Sequence, residues 1–199
     1  MTSHDTILER WDITAEELTK VVDSNPSLRG MIIGYLAELK LERLWLTGPD
    51  ISGLTKADDH DRTKHGDRTI RYKSHEFVFE SKSLQTASVR RQDDLWMGKA
   101  QVDASDRRTI TLPDGSTVTT TCLQTGSFDI LAVNVFAFQD EWRFVFAKNE
   151  DLPRSRYRNY TEYQRKHLLA TLVTVTWPPQ PPFSEEPFTL MNELIQDRI

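Results

Sequence analysis

Two carboxylates and one ammonium group are spaced in this chain so that they could act on a phosphate ester. Asp67 stands at the start of one predicted strand, and Glu80 and Lys82 stand near the end of the next. Side chains alternate between the two faces of a strand, so Glu80 and Lys82 project from the same face, about 6 to 7 Å apart along the backbone. A hairpin joining the two strands would add Asp67 to this pair.

These three groups have a defined chemical use. Carboxylate oxygens, with no cluster of nitrogen or sulfur ligands nearby, favour Mg²⁺ or Mn²⁺. Such an ion can hold a phosphate, lower the pKa of a bound water and neutralise developing charge, and a lysine can stabilise the same charge. Glu-x-Lys is also common on solvated strand faces. However, the segment 77–79 is apolar on both faces, which predicts a covered strand whose terminal charges need partners.

The remaining sequence predicts elements on both sides of the hairpin. A capping box at Thr14 and a proline at position 26 each begin a helix, and the second helix carries Glu38. In chain order the prediction is a helix at 15–23, a helix from 26 to about 48, a polar loop at 50–66, the hairpin, an irregular or helical stretch to Gly98, a hairpin at 108–122, strands at 128–138 and 142–147, a helix at 161–172, a short strand, and a helix at 187–198.

Asp67 followed thirteen positions later by Glu80-Ser81-Lys82, with this order of elements around it, resembles the PD-(D/E)XK nuclease superfamily. The resemblance implies an α/β, restriction-endonuclease-like mixed central sheet flanked by helices, with the β-hairpin insertion as an addition. It also implies that Asp67, Glu80 and Lys82 are catalytic, and that Asp67, Glu80 and, as an option, Glu38 hold Mg²⁺ or Mn²⁺. Gly66 stands where the proline often lies, and Ser81 stands where an apolar residue is usual.

The function implied by this resemblance is a metal-dependent DNA endonuclease. It would work either in restriction or defence, or as the nuclease subunit beside a separate motor or recognition protein, and a homodimer is left open. The alternative is a catalytically inactive nucleic-acid-binding or scaffold module with the same fold, since one fold can host several functions. The complete set of Asp67, Glu80 and Lys82 favours the enzyme.

The charge of the chain opposes a nucleic-acid role overall but not locally. The 199 residues carry a formal net charge of −5 with a pI near 5.6, whereas DNA-binding domains are usually basic. Residues 62–108 nevertheless hold 11 lysines and arginines against 7 acidic residues, and residues 143–166 hold 7 against 3. The candidate phosphate-binding residues in these stretches are Arg90, Arg91, Arg107, Arg108, Arg154, Arg156 and Arg158.

Length and composition predict one domain, with a core over about residues 26–172. The helix at 15–23 and the proline-rich linker plus C-terminal helix at 178–199 would be appendages. The lone Cys122 predicts a small buried thiol and excludes an intrachain disulfide. No apolar run has membrane-spanning length and residues 1–5 show no signal-peptide pattern, so we expect a cytoplasmic protein without a membrane partner.

Overall fold

A computed structural model describes residues 6–56 and 66–198. The chain forms two compact units, one ending at Leu36 and the other starting at Ala37. The single domain expected from the sequence stays a prediction. Helices α1 (Ile7–Trp11) and α2 (Ala15–Ser24) belong to the first unit, and each begins with a capping box, at Thr6 and Thr14. Helix α3 (Pro26–Trp45) runs across the boundary.

The second unit contains a five-stranded mixed sheet. Its strands are β1 (Ile51–Lys56), β2 (Arg68–Tyr72), β3 (His75–Ser83), β8 (Ile130–Asn134) and β9 (Phe144–Lys148), in that spatial order. The first three pair antiparallel in sequence order, β8 pairs parallel with β3, and β9 pairs antiparallel with β8. The predicted fold class, α/β with a mixed central sheet and a hairpin insertion, is confirmed.

Different elements cover the two faces of this sheet. On one face, Phe77 and Phe79 of β3 belong to a core cluster with the second half of α3 and with the C-terminal helix α5 (Phe188–Asp197). On the other face, the half-buried Val78 packs against a cluster that includes β8 and a second, smaller sheet. All five residues of β8 are buried, as expected for a parallel strand covered on both sides. The prediction that β3 is covered on both sides is therefore confirmed.

Between β3 and β8 the chain forms the insertion hairpin and two strands of a smaller sheet, whose third strand comes after β9. Strands β4 (Arg90–Gln92), β5 (Leu95–Gln101) and β10 (Leu172–Trp177) form the sheet, in the order β10-β5-β4. Strands β6 (Asp103–Thr111) and β7 (Thr117–Cys122) form the predicted hairpin. Cys122 is buried, as its sequence context predicted.

Two predicted stretches are wrong in their secondary structure. The polar loop at 50–66 contains β1, and its remaining residues 57–65 lie outside the described part of the chain. The irregular or helical stretch after Lys82 contains β4 and β5. Gly98 interrupts the apolar pattern of β5, but a side chain there would lie 3.1 Å from the ring of Phe138, so the close approach of that ring explains the glycine.

The C-terminal part also differs from its prediction. Helix α4 (Glu162–His167) begins at the predicted capping box but ends before Leu168 and Leu169, which are fully buried and form β-bridges. Helix α5 is part of the core rather than an appendage. Its residues Leu190 and Met191 are buried in the core cluster that covers one face of the sheet. Among the helices of residues 6–56 and 66–198, none is both long and apolar enough to cross a membrane.

Candidate active site

Asp67 is fixed in place by the hairpin of β2 and β3. Its backbone N–H donates to the carbonyl of Phe79 at 2.8 Å, and its Oδ2 accepts the backbone N–H of Ser81 at 2.7 Å. Arg68 pairs with Phe79 in the antiparallel register, so the preceding residue, Asp67, lies opposite Glu80. Opposite residues in an antiparallel pair share a face. The structure thus brings Asp67 to the Glu80 side of the sheet, as the spacing predicted.

Glu80 and Lys82 form a close ion pair on that face. Lys82 Nζ lies 2.6 Å from Glu80 Oε1, and the side chains are 22% and 10% exposed, respectively. In the parallel pairing they stand beside Leu131 and Val133, which belong to the core cluster beneath the small sheet. The pair therefore lies at the edge of a covered layer rather than on an open strand face.

Burial and the neighbouring charges set the protonation of this pair. Burial raises the pKa of Glu80, the Lys82 ammonium lowers it in part, and the Asp67 carboxylate raises it again. Burial alone would lower the pKa of Lys82, but the carboxylates of Glu80 and Asp67 outweigh it, so the pKa of Lys82 is raised. The raised pKa favours the ammonium form of Lys82, which can donate hydrogen bonds and stabilise negative charge.

Glu38 has partners of its own on the helix-covered side of the sheet. Its Oε2 accepts from Arg68 Nη1 at 3.0 Å and lies 3.5 Å from Lys56 Nζ. Arg68 is 6% exposed, and its Nη1 also donates to the backbone carbonyl of Asp67 at 2.9 Å. Burial, followed by the charge of Asp67, raises the pKa of Glu38. Glu38 is thus linked to Asp67 through Arg68, and its role as a metal ligand stays a prediction.

The insertion hairpin supplies two charges that the sequence did not place at the site. Asp103 of β6 contributes to the raised pKa of Lys82, and Arg108 of β6 acts to lower the pKa of Glu80. Both charges therefore contribute to the electrostatic environment of the pair. No local sequence pattern identifies Asp103 as a neighbour of the site, because its position depends on the path of β5 and β6.

Of the other six arginines predicted to bind phosphate, five are exposed and one is half-buried. Arg154 donates to the backbone carbonyl of Glu150 at 2.9 Å and also to that of Leu152, which gives it a structural use. Arg91 lies 5.7 Å from the ring centroid of Trp96. The exposed members of the set are Arg90, Arg91, Arg107, Arg156 and Arg158.

The donor set can be compared with the requirements of a metal ion. Within residues 6–56 and 66–198, no group of three or more histidine, cysteine, aspartate or glutamate side chains is arranged to hold a metal. An ion held by Asp67 and Glu80 would complete its shell with water or phosphate oxygens. That arrangement fits Mg²⁺, which keeps several waters and commonly binds through one or two carboxylates.

Comparison with known proteins gives little further information. No protein-family model matches this sequence, and no curated protein matches it. Among solved structures, the bacterial homing endonuclease I-Ssp6803I aligns over 71% of this chain and 87% of its own, with 18% sequence identity and a TM-score of 0.34. A likeness of this size carries no argument about activity, so the function is argued from the site.

Proposed function

We propose that this protein is a metal-dependent DNA endonuclease of the PD-(D/E)XK type. The observation that carries the proposal is the hydrogen bond from the Ser81 amide to the Asp67 carboxylate. It ties the first carboxylate to the residue between Glu80 and Lys82, so all three reactive groups occupy one place at the end of β3. Two carboxylates beside a protonated lysine suit phosphodiester hydrolysis better than acyl transfer, which requires a nucleophile and a base.

Each side chain has a separate role in the proposed mechanism. Asp67 and Glu80 would hold Mg²⁺ or Mn²⁺, which when bound supplies Lewis acidity and a water of lowered pKa. Lys82, held by Glu80 at 2.6 Å, donates to the attacking water or to an oxygen of the phosphate, where negative charge increases during the reaction. Burial of the pair strengthens this electrostatic contribution, because nearby water is limited.

DNA as the substrate is supported by the local positive charge. Arg90, Arg107, Arg156 and Arg158 are exposed and lie in the two basic stretches of the chain. Arginine binds phosphate oxygens with a planar fork of donors, and such contacts provide most of the sequence-independent affinity for DNA. A metal site between two carboxylates would take the phosphate to be cut, while these arginines would hold its neighbours.

Cleavage assays on supercoiled and linear DNA test the proposal. With Mg²⁺ or Mn²⁺ the purified protein should nick or cut DNA, and chelation should stop the reaction. Glu80→Ala, Lys82→Ala and Asp67→Asn should each reduce the rate by at least about 100-fold, since each removes a group that contacts the reacting atoms or the metal. Circular dichroism should show an unchanged fold.

Glu76→Ala provides the matched control. Glu76 is on the same strand and has the same alternation as Glu80, but it is exposed and lies at the opposite end of β3. It should retain the activity of the unmodified protein. Equal cleavage by Glu80→Ala, Lys82→Ala and the control would reject the mechanism. DNA binding without cleavage by any form would instead favour the inactive binding module.

A further inference from the structure

Arg108 lies in the inward-facing row of the insertion hairpin. It pairs with Thr120 across the hairpin, and Thr120 is only 1% exposed and bonds to Tyr160 at 2.7 Å. Farther along β6, Ile110 packs against a buried cluster, as expected for alternate residues on one face of a strand. The neighbouring Arg107 is exposed. Arg108 therefore points toward the body of the protein.

The guanidinium of Arg108 is incompletely satisfied in this position. Its Nε is buried and has no hydrogen-bond partner within the described chain. Arg68 also has a buried Nε without a hydrogen bond, but that atom lies 3.6 Å from Glu42 Oε2, so an ion pair compensates it. A buried donor without a partner is uncommon in folded proteins and is often found where a ligand binds. Arg108 Nε has no such explanation within the fold.

Strand β6 begins close to the end of β3, because Ala100, three residues before Asp103, forms a β-bridge with Leu84. The charge of Asp103 acts on Lys82, and the charge of Arg108, five residues later, acts on Glu80. The pairing with β7 shifts register between these two residues, so the strand bends along this stretch. Glu80 already has Lys82 at 2.6 Å as its direct partner, so neutralisation of Glu80 does not require Arg108.

We propose that Arg108 is a further catalytic residue, whose guanidinium binds a non-bridging oxygen of the phosphate that lies at Asp67, Glu80 and Lys82. The β6–β7 hairpin is then part of the substrate site rather than a structural flap. This inference rests on the proposed nuclease function. A phosphate there would receive the unpartnered donor from the hairpin side and the Lys82 ammonium from the sheet side, and two-sided contact with positive charge stabilises a phosphate as its charge rises.

Single-turnover cleavage at saturating protein, with Mg²⁺, tests this role. Arg108→Ala should slow cleavage by about 100- to 1,000-fold, the range expected for removal of one preorganised donor. Arg108→Lys keeps the charge but not the fork, so it should lose about tenfold. Arg71→Ala is the control, because Arg71 is an exposed arginine on β2 outside the site. It should stay within about threefold of the unmodified protein.

A second measurement does not require cleavage. Fluorescence anisotropy of a labelled DNA duplex in Ca²⁺ should show an affinity about tenfold weaker for Arg108→Ala than for Arg71→Ala. Thermal unfolding distinguishes a phosphate-binding role from a structural one. If Arg108 only stabilised the fold, the Arg108→Ala variant would have a lower midpoint of thermal unfolding. If Arg108→Ala does not fold, the same comparisons are made with Arg108→Lys.

Each outcome decides a defined point. If Arg108→Ala cleaves DNA at the rate of the Arg71→Ala control, this inference is overturned while the nuclease proposal stands. If Arg108→Ala is unfolded, the same conclusion follows from cleavage by Arg108→Lys at the control rate. Absence of cleavage by the unmodified protein would remove the nuclease proposal, and the Ca²⁺ binding comparison would then decide whether Arg108 contacts phosphate. Equal DNA affinity of Arg108→Ala and Arg71→Ala, or no DNA binding by any form, would overturn the contact.

Discussion

Arg68 connects the helix-covered side of the sheet to the reactive side. Its guanidinium donates to Glu38 at 3.0 Å and to the carbonyl of Asp67 at 2.9 Å while remaining almost completely buried. A buried arginine needs such partners, because an uncompensated charge in the interior is strongly unfavourable. Glu38 therefore acts on the site through Arg68, by holding the backbone on which the first carboxylate stands.

We expect Glu38→Gln to lower the free energy of unfolding by about 2 to 4 kcal/mol, since it removes the closest carboxylate partner of the buried Arg68. Urea denaturation measures this loss. Glu42→Gln is the matched control: Glu42 is 34% exposed and lies 3.6 Å from Arg68, so its loss should stay below about 1 kcal/mol. Loss of metal binding in Glu38→Gln with unchanged stability would instead identify Glu38 as a ligand.

The residues of the proposed site differ in how well their positions could be predicted from the sequence. Asp67, Glu80 and Lys82 lie on one hairpin, so strand alternation and antiparallel pairing were enough to predict their meeting. Arg108 was predicted only as one of seven candidate phosphate-binding arginines. Its approach to Glu80 depends on how β5 and β6 return over the sheet, and no local pattern of residues encodes that path.

At the scale of elements, Gly66 determines how the chain enters β2. It has a φ of +73°, and a Cβ there would lie 2.3 Å from Val78 Cγ1 and 2.8 Å from the carbonyl oxygen of Phe79. That carbonyl accepts the Asp67 amide. A side chain at this position would therefore disturb the hydrogen bond that sets Asp67 in register. A glycine is required here because both the available space and the positive φ disfavour a side chain.

Gly66→Ala should lower the free energy of unfolding by about 2 to 4 kcal/mol, through strain at positive φ together with overpacking. It should also reduce cleavage, because Asp67 would be displaced. Gly115→Ala is the control, since Gly115 has a φ of +82° but no atom within 4 Å of its added Cβ. That variant should lose only about 1 kcal/mol, from strain alone. Equal losses in denaturation would show that contact with β3 is unimportant.

The sequence did not predict two of the strands, β1 and β5. Strand β1 contains Gly53 and four exposed residues in six, which is typical of a loop, and pairing with β2 alone makes it a strand. Strand β5 contains Gly98, which the tight packing of Phe138 demands. In both cases a tertiary contact outweighs the local preference of the residues. The hairpins at 68–83 and 103–122 were predictable because their alternation and turns are local.

For the whole molecule, the acidic charge bears on the proposed metal site. The site concentrates Asp67 and Glu80 beside a single direct ammonium partner in a protein with a net charge of −5. A bound cation would relieve the repulsion between the two carboxylates. It would also bind the folded state only, because the unfolded chain separates these residues. Metal binding should therefore be measurable as stability, without any substrate.

We expect Mg²⁺ or Mn²⁺ to raise the midpoint of thermal unfolding. An ion present at 100 times its Kd stabilises the folded state by about 2.7 kcal/mol. Differential scanning calorimetry with and without the ion measures this shift. Asp67→Asn should abolish it, whereas Glu76→Gln, an exposed change on the same hairpin, should retain it. A shift of the same size in Asp67→Asn would place the ion elsewhere.

The Ser81–Asp67 hydrogen bond has a consequence for redesign. This bond links β2 to β3 directly beside the three charged groups. A change in the number of residues between the two strands would therefore shift the positions of all three groups at once. The Lys73–Ser74 turn is therefore the part of the chain that engineers should leave at its present length. The β6–β7 hairpin is attached outside this frame but carries Arg108, so an exchanged hairpin should keep an arginine at that position.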